Sequence, residues 1–245
     1  MSGNDDRRAW WAGLSGVLGA LAWITGDILI IGREVDPGDY PLLFSTHADR
    51  IQADFAVHLL GAPTSQLIAG ALCATFAVPL YLFGTRHLWW GLRPAGRGWA
   101  VPATALLFVG FAWSPLPHAA FYFLGATYQA VLAAPPQGHD ALLALADEFH
   151  RVLLWTWYPA VLCSAVGFVW CSLAIATGRT RYPRWMALTC NPVVLALALF
   201  ALHRMLPETP SHWLGSASLN IVCLLVFAQA LRFGRPDAAG AGGKA

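Results

Sequence analysis

Six stretches of the chain contain no Lys, Arg, Asp or Glu: residues 9–26, 55–85, 98–139, 152–178, 185–203 and 209–231. Uncharged runs of that length leave few folds open. No water inside a bilayer satisfies backbone N–H and C=O groups, so a chain that crosses it must close those bonds within helices or a barrel. A membrane helix needs about 20 mostly apolar residues, a membrane strand roughly half as many. The runs therefore predict helices. Composition agrees, with 57% hydrophobic and 11% charged residues over 245 positions, against about 25% charged in a soluble domain. We expect an all-α integral membrane protein, a single bundle of six transmembrane helices near 11–32, 58–84, 99–125, 152–177, 184–203 and 213–232. The bundle should occupy residues 1–236, with the Gly/Ala-rich 237–245 a disordered tail.

The third run is 42 residues long, with "WSPLPHAAF" (113–121) at its centre. Two short helices joined at Pro115 and Pro117 would give seven spans; one long helix kinked by proline gives six. Charge arbitrates. Six spans with both termini cytoplasmic place Arg7, Arg8, Arg86, Arg93, Arg97, Arg179, Arg181, Arg184, Arg232, Arg235 and Lys244 inside, leaving Arg33, Arg50, Arg151 and Arg204 outside. Eleven against four follows the positive-inside rule. Most acids fall on the outer side instead, where solvated loops account for Glu34, Asp36, Asp39, Asp140 and Glu208. The N-terminus shows no signal-peptide cleavage pattern, so the first helix is expected to be retained. The five cysteines all lie in predicted spans without C-x-x-C spacing, which fits soft core residues rather than a disulfide or redox motif. Nothing in the charge pattern calls for a nucleic-acid partner. Localisation in a bacterial cell membrane, multi-pass, is expected.

"LAWITGDILIIGRE" (21–34) places Asp27 inside the first run. An ionisable residue there is costly and by default functional, with a partner elsewhere. Residues three and four apart share a helix face, and on that basis several groups map to the same outer depth. Trp23 lies one turn from Asp27. Arg50, Asp54 and His58 follow at fourfold spacing, with Gln66 deeper. His118, Tyr122, Gly125 and Gln129 form a stripe near Trp113, and Asn191 maps toward the other side as a packing residue beside Pro192. Glu148, Arg151, Trp155 and Trp157 open the fourth helix; His212, Ser216 and Asn220 lie in the last. Plainer explanations exist for most: a solvated loop helix for Arg50, Asp54 and His58, a surface i, i+3 pair for Glu148 and Arg151, helix packing for His118, and snorkelling toward Arg33 for Asp27. Of twelve tryptophans, Trp10, Trp11, Trp89, Trp90, Trp99, Trp185 and Trp213 fit an interfacial belt. Trp23, Trp113, Trp155, Trp157 and Trp170 do not. Aromatic faces attract cations, and an apolar setting keeps a carboxyl group protonated, as a proton donor requires.

The Gly-Asp of the first helix, "DEFHR" at 147–151, the size and the aromatic content resemble the small membrane-bound terpene cyclases, specifically the bacterial indole-sesquiterpene (drimentine-like) type. The chain is also similar to bacterial integral membrane proteins carrying a Gly-Asp in the first helix. Fungal cyclases of this kind are drawn with seven helices, one more than the six expected here. The resemblance implies metal-independent, protonation-initiated cyclisation of a farnesyl chain on an indole or diketopiperazine substrate, without cofactor. No D-D-x-x-D, H-E-x-x-H, P-loop or strand-borne G-x-G-x-x-G occurs. The implied roles are Asp27 as general acid, Glu148 as second acid or relay, and His58 and His118 as groups that orient or reload the proton. Trp23, Tyr122, Trp155 and Trp157 would stabilise cations, with Asp54, Trp113 and Arg151 at the pocket and Gln66 or Asn220 anchoring a polar head. The partners are then a lipophilic prenylated small molecule and the bilayer. Two other classes stay open: a non-catalytic transporter or binding protein, and a haem- or quinone-binding subunit using His58, His118, His150 and His203 or His212.

Overall fold

A computed structural model describes residues 3–234; the expected tail at 237–245 lies outside the described residues. All regular structure among them is helical. Four long helices build the body: α1 (Gly3–Ile31), then after a short α2 (Ala53–Leu59) the long α3 (Thr64–Leu92), then α4 (Arg97–Trp113) running into α5 (Pro115–Ala133), and α6 (His139–Ala176). The chain closes with α7 (Met186–Thr189), α8 (Pro192–His203), α9 (Glu208–Ser216) and α10 (Ser218–Phe233).

Four stretches are long and apolar enough to cross a bilayer: Asp6–Ile31, Thr64–Ala95, Arg97–Ala133 and Pro136–Ala176. The bent pair α9 and α10 would make a fifth. Six were expected, and the difference lies in particular residues. Pro63 starts α3 at Thr64, so residues 58–63 belong to α2 and a turn rather than to a span. The expected span 184–203 is divided at Asn191–Pro192: Pro192 has no N–H to continue a helix from α7, and the Asn191 side chain caps α8 by accepting from Val193 N and Val194 N. The 12 residues of α8 reach only about 18 Å, short of the ~30 Å of hydrocarbon. By contrast, the third run continues through Ser114 as one apolar stretch of 37 residues. The regular helix is interrupted at Ser114, just before Pro115.

The α1–α3 seam fixes the rest. The two helices run antiparallel with backbones close enough that a Cβ on Gly84 would sit 2.7 Å from the Gly16 Cα, and one on Gly70 would sit 2.8 Å from the Gly26 carbonyl. Small residues permit such approach between membrane helices. Side chains then lace the seam to facing carbonyls. Ser15 Oγ donates to Leu80 O (2.8 Å), Trp23 Nε1 to Ala74 O (2.8 Å), and Gln66 Nε2 to Leu29 O (2.9 Å). Helix α10 packs on the same face of α1, Phe227 filling the space beside Gly16. At the arginine-bearing end, Tyr182 fits over Gly91 and donates its hydroxyl to His87 O (3.1 Å). Burial pushes that hydroxyl's pKa well above its ordinary value, so it stays a donor. Nearby, Trp90 is buried under the Arg181 guanidinium at 4.2 Å rather than exposed in a belt.

Two cores result. One gathers around Trp23, Tyr81, Phe111, Phe168 and Phe227. The other holds Ile30, Leu59, Leu67, Leu124 and Leu153 toward the opposite end. Asp27 sits in α1 between Trp23 of the first and Ile30 of the second.

Candidate functional site

Asp27 points into the bundle. Its Oδ1 lies 3.1 Å from His118 Nε2 on α5, and its Oδ2 accepts from Asn220 Nδ2 on α10 at 2.7 Å. Tyr81 of α3 completes the chain by donating its hydroxyl to Asn220 Oδ1 at 2.9 Å. Four helices thus meet at one carboxyl group. The partner that the sequence demanded for Asp27 is an imidazole, with an amide beside it.

The local sequence explains why each group points inward. Pro115 and Pro117 restrict the start of α5, where proline is tolerated because early N–H groups lack helical partners. One turn in, His118 Nδ1 donates to the Ser114 carbonyl at 2.7 Å, and Ser114 Oγ returns to Gly110 O at 2.8 Å. With Nδ1 committed as a donor, Nε2 is a bare acceptor in neutral imidazole and a second donor only in imidazolium. Between Asp27 and His118, one shared proton therefore defines the neutral pair: a carboxylic acid facing imidazole, or a carboxylate facing imidazolium. Asn220 donates to the other carboxyl oxygen, and Tyr81 holds the amide in that orientation. The side chains of His118 and Asp27 retain 12% and 14% exposure, so the dyad is reachable while its supports are not. Asn220 is 4% exposed and Tyr81 fully buried.

Aromatic rings wall one side. The Trp23 ring lies 4.9 Å from that of His118 and 4.8 Å from that of Tyr81. Tyr81 stacks on Phe111 at 4.3 Å. A cation formed on His118 would meet Trp23 first. Beyond Phe111, Phe168 (6.4 Å between rings) borders a cavity of about 640 Å³ between α6, α8 and α10. Trp157, Pro192, Leu199, Leu219 and Val222 also line it, and no charged residue does. This lies within the ~300–1,000 Å³ typical of small-molecule sites.

Of the residues singled out from sequence, the structure brings Asp27, His118, Trp23 and Asn220 together. Others lie elsewhere. Glu148 pairs with Arg151 on the exposed surface of α6, both side chains more than 60% open, which is the ordinary i, i+3 arrangement. Asp54 is exposed at the start of α2. His58 meets the Arg33 carbonyl through Nδ1 (3.0 Å), and Gln66 is spent on the α1–α3 seam. Tyr122 packs beside Phe123. Trp113 and Trp155 are 51% and 79% exposed and line a separate groove with Pro115 and Pro159. Trp157 alone of that group reaches the large cavity. The histidines offered for haem each have a local partner: His118 has Asp27, His203 has Ser211, His212 lies 3.7 Å from Glu34, and His150 packs on Phe55. Tyr81 and Phe111 were missed because an aromatic residue in an apolar run gives no signal of its own; "PLY" with Tyr81 two turns from His87 reads as core.

The fold and this site define an all-helical class with four helices, or five with the bent pair, long and apolar enough to cross a membrane and a half-buried acid–imidazole dyad where four helices meet. The chain belongs to a family of unknown function, DUF6796, whose model matches residues 5–232. Comparison with curated proteins and with solved structures finds no match.

Proposed function

We propose that this protein is a multi-pass enzyme of the bacterial cell membrane, with cytoplasmic termini, in which the Asp27–His118 dyad delivers a proton to a lipophilic substrate. The reading is metal-independent cyclisation of a farnesyl chain carried on an indole or diketopiperazine. One observation carries it: a carboxyl group lies 3.1 Å from an imidazole whose Nδ1 is committed elsewhere, beside stacked rings. The donor state holds two protons, one on the Asp27 carboxyl and one on His118 Nε2, with Trp23 beside the imidazolium. Asp27 gives its proton to a terminal double bond, the adjacent carbon becomes cationic, and later loss of a proton from the cyclised skeleton restores the balance. The Nε2 proton of His118 passes to the Asp27 carboxylate, and the imidazole so freed takes up the proton lost from the skeleton, which returns the dyad to its donor state. The large apolar cavity supplies room for the isoprenoid chain, and Phe111 and Phe168 form the ring layer between it and Tyr81. In the described conformation Trp23, Tyr81 and Phe111 face one another, so a bound chain has to part them.

The test is incubation of membranes with farnesylated indole substrates and a search for an isomer of equal mass. Asp27→Asn keeps the shape and removes the donor, and product should vanish. Undiminished product in that variant refutes the assignment. Glu148→Gln should remain active, because its surface pair with Arg151 lies outside the dyad network.

A second reading rests on a different feature. Helices α9 and α10 meet at a 71° bend, and Asn220 in the first turn of α10 holds Asp27. Broken helices whose inner ends meet a charged group are common in transporters. A proton-coupled carrier would show Asp27-dependent proton movement in proteoliposomes and no isomerisation.

A further inference from the structure

The end of the molecule where α1, α4 and their neighbours begin and α3, α6 and α10 finish is strongly basic. Its exposed cations include Arg86, Arg93, Arg97, Arg179, Arg184 and Arg232, and its described acid is Asp6, which lies 3.7 Å from Arg181. Much of this spread serves topology. One place differs. Between α3 and α4, Thr85, Arg86 and Trp89 face Val101, Thr104, Ala105 and Phe108 across a groove of about 370 Å³. The α4 residues recur at intervals of three and four, a continuous stripe running from the helix start toward the bilayer centre. The described ion pairs engage Arg50, Arg151 and Arg181, not Arg86. Thr85 and Thr104 bond back to their own helices, at Leu82 O and Ala100 O, so Arg86 is the group at the mouth with donors to spare.

We propose that this groove binds one anionic phospholipid, its phosphate on the Arg86 guanidinium and one acyl chain along Val101, Ala105 and Phe108. Charge and shape both point to that occupant. A guanidinium presents a planar fork that matches phosphate oxygens, Trp89 sits where amphipathic rings favour the headgroup level, and the rest of the stripe is hydrocarbon. Basic pockets between membrane helices recognise acidic headgroups in this way. The cluster of arginines around the α3–α4 turn raises the local concentration of acidic lipid, and Arg86 fixes one molecule. The site is independent of the Asp27 chemistry.

The experiment uses the purified full-length chain in a neutral detergent, with lipid retention read by native mass spectrometry. Phosphatidylglycerol and phosphatidylcholine of the same acyl chains are compared. Phosphatidylglycerol should bind more tightly, and Arg86→Gln should weaken it about five-fold, the equivalent of about 1 kcal/mol for one basic group at a charged lipid surface. Arg86→Lys, which keeps the charge without the fork, should fall between. Arg179→Gln, on the same end but outside the groove, should leave binding unchanged. Equal loss in Arg86→Gln and Arg179→Gln would overturn the site in favour of diffuse attraction. Equal retention of the two lipids, or equal affinity for inorganic phosphate, would overturn it as well.

Discussion

His118 makes the clearest argument at the scale of single residues. Read alone, a histidine on an apolar helix is as easily a packing residue as a functional one. Its Nδ1 bond to Ser114 O and its Nε2 approach to Asp27 make it a hydrogen-bonded link between α5 and α1, in the geometry that a shared proton requires. The coupling is measurable. A double-mutant cycle of Asp27→Asn and His118→Gln, followed by thermal unfolding in detergent, should give an interaction energy of about 0.5–3 kcal/mol. A value near zero would mean that the two side chains do not share the proton. Tyr81 makes a second case. Tyr81→Phe leaves the buried Asn220 Oδ1 without its donor, at a cost of about 1–3 kcal/mol, and should lower the melting temperature while α-helical content persists by circular dichroism. Asp27 was legible as a candidate with a partner elsewhere, from its position in an uncharged run. Asn220 was legible only as a polar residue at matching depth, and Tyr81 not at all, since its value comes from what it orients.

Among the elements, the α1–α3 pair carries the geometry and α8 to α10 carry the departures. Gly16 and Gly84 let two helices touch backbone to backbone, and a branched side chain at that contact has nowhere to go. Gly84→Val should destabilise by about 1–3 kcal/mol through overpacking. Gly98→Ala, where an added Cβ meets nothing within 4 Å, should stay within about 0.5 kcal/mol of the parent; chemical denaturation of both in one detergent makes the comparison. Such a seam was invisible to hydropathy, which weighs composition and ignores closeness. The same blindness produced the expected span at 184–203: a window average does not register that Asn191 caps and Pro192 restarts a helix. The third run went the other way. Its helix breaks only at Ser114, and α4 and α5 remain one continuous apolar stretch.

For the molecule as a whole, the arrangement of charge gives a direct check of orientation. Cysteine introduced at Gly98→Cys, on the basic end, and at Asp54→Cys, on α2, should label with membrane-impermeant maleimide from opposite sides, the first from the cytoplasm. Labelling of both from one side would contradict the proposed topology. Four helices are long and apolar enough to cross a membrane, which agrees with what composition and backbone hydrogen bonding lead one to expect. Whole-molecule packing also decides where the apolar cavity lies. The cavity bordered by Phe168 and Val222 depends on α8 standing off from α6 and α10, which no local sequence pattern encodes.

Sequence by itself determined an all-helical chain with stretches long and apolar enough to cross a bilayer, and the unusual position of Asp27 in one of them, because burying backbone and charge in hydrocarbon is costly wherever the chain runs. Only the tertiary structure decided which residues answer that carboxyl group. Asp27, His118 and Asn220 are 91 and 193 positions apart along the chain, and their meeting depends on how closely four helices approach, a property of packed surfaces rather than of any one segment.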